Sequence, residues 1–196
     1  MSPRVPRRAD PPGATRSVEG QRLLYDRVQQ ACARPHEPDG HVALVLIELW
    51  PASASASADE RVLAAATTGL AEVLNRRLRE VDVLVRSAAC ELAVLLARAH
   101  IGVAVSFSER LRQPIERALH EMGLSREIAV CMGLAANPPA ARWHPDALIE
   151  LADHRVTAAR QRHHQTPDRE WALVVESAAL PSDWADPTAW PATEQL

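Results

Sequence analysis

The 196 residues suffice for one full core with tails and fall short of two ordinary domains. A formal net charge of −3 gives no global attraction to nucleic acid or to an anionic membrane. All 22 basic residues are arginines, which excludes Schiff-base and P-loop lysine chemistry.

Residues 1–16 place Arg4, Arg7, Arg8 and Arg16 among four prolines, the composition of a disordered basic tail. From Ser17, helical spacing of Val18, Leu23, Leu24, Val28 and Ala31 predicts a helix that Pro35 ends. His41 to Trp50 is a β-branched apolar run, a strand buried on both faces and closed by Pro51. The alternating Ala/Ser segment Ala52–Ala58 reads as a loop. Asp59 and Glu60 then bring negative charge to a helix N-terminus. Val62, Leu63, Ala66, Leu70, Val73, Leu74 and Leu78 form its inner stripe, with Arg76, Arg77 and Arg79 expected in its last turn.

From Arg79 to Leu96 the pattern is a helix end, a strand, a tight turn and a second strand. Val81, Val83 and Val85 alternate with Asp82, Leu84 and Arg86, and Leu92–Leu96 is continuously apolar. The turn falls near Ser87-Ala88-Ala89-Cys90. Such turns favour Gly or Asn because some positions need φ > 0, so the alanines are out of place there. Beyond Arg98, Phe107, Leu111, Ile115, Leu119 and Met122 have helical spacing, with Ser106 or Ser108 as N-cap. Pro114 is expected to kink or interrupt that helix, and Gly123 to cap it. Glu127–Ala135 is a strand and Asn137-Pro138-Pro139 a loop. Pro145-Asp146 opens a helix with Leu148, Leu151, Ala152, Val156 and Ala159 inside. Trp171–Val175 is a last strand, followed by an acidic tail over residues 177–196 that carries Trp184 and Trp190. The order from His41 contains β-α-β-β-α-β, the split arrangement of ferredoxin-like folds.

The hairpin also resembles the signature hairpin of GGDEF domains, the catalytic domains of diguanylate cyclases. The family's Gly-Gly-Asp/Glu-Glu-Phe falls on Ala88-Ala89-Cys90-Glu91-Leu92, preceded at the family spacing by Arg79-x-x-Asp82 and Arg86. Arg22–Arg27 resembles the entry helix, and Ile128–Ala135 with Gly133 resembles the Ser-x-Gly-Val/Ile-Ala strand. Leu151-Ala152-Asp153 followed by Ala158-Ala159-Arg160 resembles the late helix. The likeness spans about Gly20 to Val175 and implies an α/β (α+β) nucleotide-cyclase palm: a five-stranded, mainly antiparallel sheet flanked by helices. The expected domain is 17–176.

The family joins two GTP molecules into cyclic di-GMP with two metal ions per half-site, using acidic ligands and a phosphate-cradling backbone. Here Ala88 and Ala89 put Cβ atoms where the signature glycines admit the nucleotide. The acidic third position is Cys90, a poor partner for Mg²⁺. Glu91 remains, Glu48 and Trp50 stand at the two acidic positions of the first strand, and Arg160 replaces the late lysine. The expectation is therefore a non-enzyme with no catalytic residues, no metal and no cofactor: a degenerate GGDEF-like regulatory module. Its retained pair, Arg79 and Asp82, matches the site where active members bind cyclic di-GMP, through an arginine fork to phosphate or guanine and a carboxylate accepting guanine N–H groups. The alternative is a protein adaptor without nucleotide, and a residual cyclase ranks last. A protein partner and a homodimer are candidates; nucleic-acid binding and membrane insertion are not expected.

Other residues have plainer readings. His144, His154, His163 and His164 lack ligand spacing and read as a solvated helix end. Cys131 reads as a buried small hydrophobe, and Cys90 as an exposed turn thiol with no signal of activation. Cys32, Cys90 and Cys131 form no C-x-x-C pair, and their odd number without an apolar leader points to a reducing cytoplasm.

Overall fold

The structure, a computed structural model, describes residues 18–32, 41–53, 59–137, 145–165 and 173–177, without side-chain detail from 164 onward. The tail predicted over 1–16, the predicted 177–196 tail beyond Ser177 (which ends the last strand), the 138–144 loop with His144, and Trp171, Trp184 and Trp190 lie outside the described residues. So does most of the Ala/Ser segment. Elements run in the order α1 (Val18–Cys32), β1 (Val42–Pro51), α2 (Glu60–Asn75), β2 (Val83–Ala88), β3 (Glu91–Ala97), α3 (Ile101–Glu121), β4 (Ile128–Ala136), α4 (Pro145–Gln165) and β5 (Leu173–Ser177).

β1 has eight consecutive buried residues, which is possible only for a strand covered on both faces. It occupies the middle of the sheet, whose order is β2-β3-β1-β4-β5. The first four strands are antiparallel, and β5 joins β4 in parallel through α4. The period-2 alternation of β1 divides the core. Val45, Ile47 and Leu49 face α2 and α3 together with Leu70, Leu74, Leu111 and Ile115. Leu44 and Leu46 face α1 and α4 together with Leu24, Val28, Leu148 and Val156. Each fully buried Leu or Ile contributes roughly 2 kcal/mol of transfer free energy. Gly133 sets the distance of α4, because a Cβ there would lie 2.2 Å from the Ala152 carbonyl oxygen and 2.3 Å from the Val156 nitrogen.

Several local expectations change. In α1 only one stripe is buried; Val18 and Leu23 are exposed. α2 is capped by the Asp59 carboxylate, which accepts from the Val62 N–H at 2.9 Å. It ends at Asn75, so Arg76 is its C-cap and Arg77 and Arg79 lie beyond it, not in its last turn. α3 begins six residues before Phe107, capped by His100, whose Nδ1 accepts from the Gly102 N–H at 3.1 Å. Ser108 is buried inside that helix and donates its hydroxyl back to Ala104. α3 also runs through Pro114, because Leu111 and Ile115 on either side are packed into the core and offset one missing backbone bond. Its end is a Schellman motif: Leu124 N–H donates to Leu119, Gly123 N–H to His120, and Gly123 has φ +73.

Candidate functional site

The β2–β3 hairpin is built differently from the expectation of positive φ at its tip. Among the described non-glycine residues only Arg98 has φ > 0. The turn Ala89-Cys90 closes without it, because a register shift between Arg86 and Ala88 makes Ser87 an extra residue and supplies the twist. Arg86 then holds the tip onto α2. Its guanidinium donates to the carbonyls of Ala88 (3.3 Å), Ala89 (2.6 Å) and Ala64 (3.1 Å) and to the Thr68 hydroxyl (3.0 Å). Backbone carbonyls at the tip are thereby occupied from within the protein.

Register places Glu91, Glu48 and Cys131 in one row across β3, β1 and β4. Glu48 is buried, and Arg160 of α4 reaches it at 3.2 and 3.4 Å while lying over the Trp50 ring with Cζ 4.6 Å from its centroid. The residue at the first acidic position thus pairs with the residue at the late basic position. His163, expected in solvent, is buried one turn further along α4 and donates a ring N–H to the Ala52 carbonyl at 3.0 Å. Among the described residues no three His, Cys, Asp or Glu side chains are grouped to hold a metal ion. Burial, reinforced by the Glu48 charge, pushes the Cys131 thiol up to about 12 against the opposing pull of Arg160. Burial and Glu60 also raise the half-buried Cys90 thiol, the reverse of activation.

A second site lies at the other end of β3, about 20 Å away at a strand rise near 3.3 Å per residue. Asp82 accepts from the Arg79 N–H through Oδ2 (3.0 Å) and from the Ala97 N–H through Oδ1 (3.1 Å), and its own N–H returns to the Arg79 carbonyl. It pins the α2–β2 turn to the end of β3. Arg98 follows in the left-handed region, which carries Ala99 back to donate to His41 and leads into α3. The result is an open cleft of about 40 Å³, with Leu96, Val103 and Phe107 as apolar lining and Arg77, Arg79 and Arg110 at its polar side. Spacing in the sequence marks Arg79 and Asp82 but neither Arg77 nor Arg110. The spacing of Arg110 from Val103 and Phe107, i, i+4 and i+7 on α3, was the available signal.

Comparison with protein-family models finds no match, and none is found among curated proteins. Solved structures do match. The GGDEF domain of DgcB from Caulobacter crescentus, in complex with c-di-GMP, aligns at TM-score 0.56 with 16% identity, over 80% of this chain and 88% of that one. The GGDEF domain of YfiN (TpbB) from Pseudomonas aeruginosa aligns at TM-score 0.56 with 21% identity, over 81% and 96%. The diguanylate cyclase SiaD from Pseudomonas aeruginosa, in complex with its activator SiaC, aligns at 0.56 with 14% identity, over 80% of this chain and 58% of that one. The chain has the fold of GGDEF domains. Among its described helices none is long and apolar enough to cross a membrane.

Proposed function

We propose that this domain is a catalytically inactive, cytoplasmic GGDEF-like regulatory module of cyclic di-GMP signalling, and that its ligand is cyclic di-GMP held at the Arg79–Asp82 cleft. The observation that carries the reading is the contrast between its two sites. At the positions of catalysis the side chains pair with one another: Arg160 with Glu48 and Trp50, and Arg86 with the hairpin tip. A metal ion there would have to displace a guanidinium from a buried carboxylate, and Cys90 offers no hard oxygen in exchange. At the cleft, the side chains of Arg77, Arg79 and Arg110 make no hydrogen bond or ion pair with any described residue. Cations beside an apolar surface suit a phosphodiester attached to a flat ring. At about 40 Å³ the cleft is too small to enclose a dinucleotide, so the ligand lies across it.

Calorimetry with cyclic di-GMP tests this directly. Binding by the wild type that is abolished in Arg79→Ala supports the cleft. Absence of binding by the wild type removes the receptor role and leaves the second reading, a protein adaptor without nucleotide. That reading draws on Asp82, whose carboxylate already serves two backbone N–H groups and so has a structural role of its own. SiaD, a cyclase of similar fold that is found in complex with a protein activator, is consistent with a protein partner.

A further inference from the structure

We propose that Arg77 is a third cationic contact of the cleft and determines its preference for ligands with two negative charges, an inference that rests on the ligand reading above. Three features of the chain place it there. α2 stops at Asn75, and the Arg77 N–H turns back to the Leu74 carbonyl at 2.8 Å, which directs the following residues across the cleft. Arg77 lines the cleft with Arg79 and Arg110, and its side chain makes no hydrogen bond or ion pair with any described residue. Asp82, the one carboxylate in the lining, holds backbone N–H groups with both oxygens and pairs with none of the three guanidinium groups. Three guanidinium charges against one carboxylate leave two net positive charges.

That charge matches a cyclic dinucleotide, which carries two phosphodiesters. A linear dinucleoside monophosphate carries one and leaves a guanidinium unsatisfied. Two arginines suffice to clamp one phosphodiester; the third is the group that responds to the second charge. Asp82 acts as a positioning residue, because it fixes the turn that carries Arg77 and Arg79 toward the β3–α3 junction.

The test compares cyclic di-GMP with the linear guanylyl-guanosine in wild type, Arg77→Ala, Arg77→Lys and Arg79→Ala. Wild type is expected to prefer the cyclic ligand. Arg77→Ala is expected to weaken the cyclic ligand by about tenfold, the scale of one lost charge-assisted contact, and the linear one by about twofold or less. Arg77→Lys should recover part of the loss. Melting temperatures of the Arg77 variants should equal that of wild type, since the side chain is exposed. Equal losses for both ligands, or no loss in Arg77→Ala while Arg79→Ala abolishes binding, overturns the role of Arg77 and leaves the receptor function standing. No binding of either ligand to the wild type overturns both.

Discussion

Replacing Arg160 by Ala isolates the clasp that joins α4 to β1. The pair is buried, with side chains 14% and 6% exposed, and its closest approach is 3.2 Å. At an effective dielectric of about 20 the direct attraction is about 5 kcal/mol, most of which offsets the desolvation of two charges. The loss on truncation is larger than the net value of the pair, because the Glu48 carboxylate stays buried without its partner. Such truncations cost about 3–5 kcal/mol, and the lost contact with Trp50 adds about 1 kcal/mol. We therefore expect Arg160→Ala to lose about 4 kcal/mol, a fall in Tm of about 10 °C for a domain of this size. The assay is urea denaturation at pH 7 followed by Trp fluorescence. Arg160→Met combined with Glu48→Leu should regain most of that loss, since an apolar pair of similar volume is usually neutral in place of a buried ion pair. A loss below about 1 kcal/mol in Arg160→Ala, or a double variant no more stable than the single one, would refute the clasp as an energetically coupled unit.

Other outcomes test neighbouring parts of the same reasoning. Substituting the hairpin tip as Ala88→Gly, Ala89→Gly and Cys90→Asp should give no cyclic dinucleotide from GTP with Mg²⁺ by chromatography, because the Arg160–Glu48 pair remains; product formation would show that this pair does not prevent the reaction. Arg86→Ala removes two hydrogen bonds to the tip carbonyls and two to α2 and should cost roughly 1–2 kcal/mol with faster amide exchange at Ala89 and Cys90, and Arg86→Lys should recover only part of it. Gly133→Ala drives a Cβ into the backbone of α4 and should destabilise by about 3 kcal/mol or prevent soluble expression. The Cys131 thiol keeps its proton in the fold up to about 12, whereas the unfolded thiol releases it near 9. The unfolded state therefore binds fewer protons between these values, and stability should fall as pH rises through that window. Cys131→Ala should flatten the slope between pH 9 and 11, and an unchanged slope would assign it to other groups.

The order of elements and the sheet were legible because burial leaves a periodic signal. The apolar run of β1, the stripe of α2 and the Pro145 start of α4 each follow from one local rule. Local rules misplaced the start of α3, where Ile101–Ser106 lacks a polar face and His100 is an unusual cap. They also overrated Pro114, since packing on both sides carried the helix through it. At the candidate site, sequence marked Arg79 and Asp82 by spacing alone. Asp82 then proved to be bonded to Ala97, fifteen residues later, a contact no local pattern encodes.

By itself, the sequence determined composition, strand and helix periods, and the identity of the residues at the hairpin tip: two alanines and a cysteine, with no lysine anywhere in the chain. Tertiary structure alone decided what surrounds those residues. It brought Arg160 across 112 residues onto Glu48, tied the tip to α2 through Arg86, and gathered Arg77, Arg79 and Arg110 around one cleft. The reason is that pairing between charges depends on distance in space and on burial, and both are set by how helices pack on the sheet.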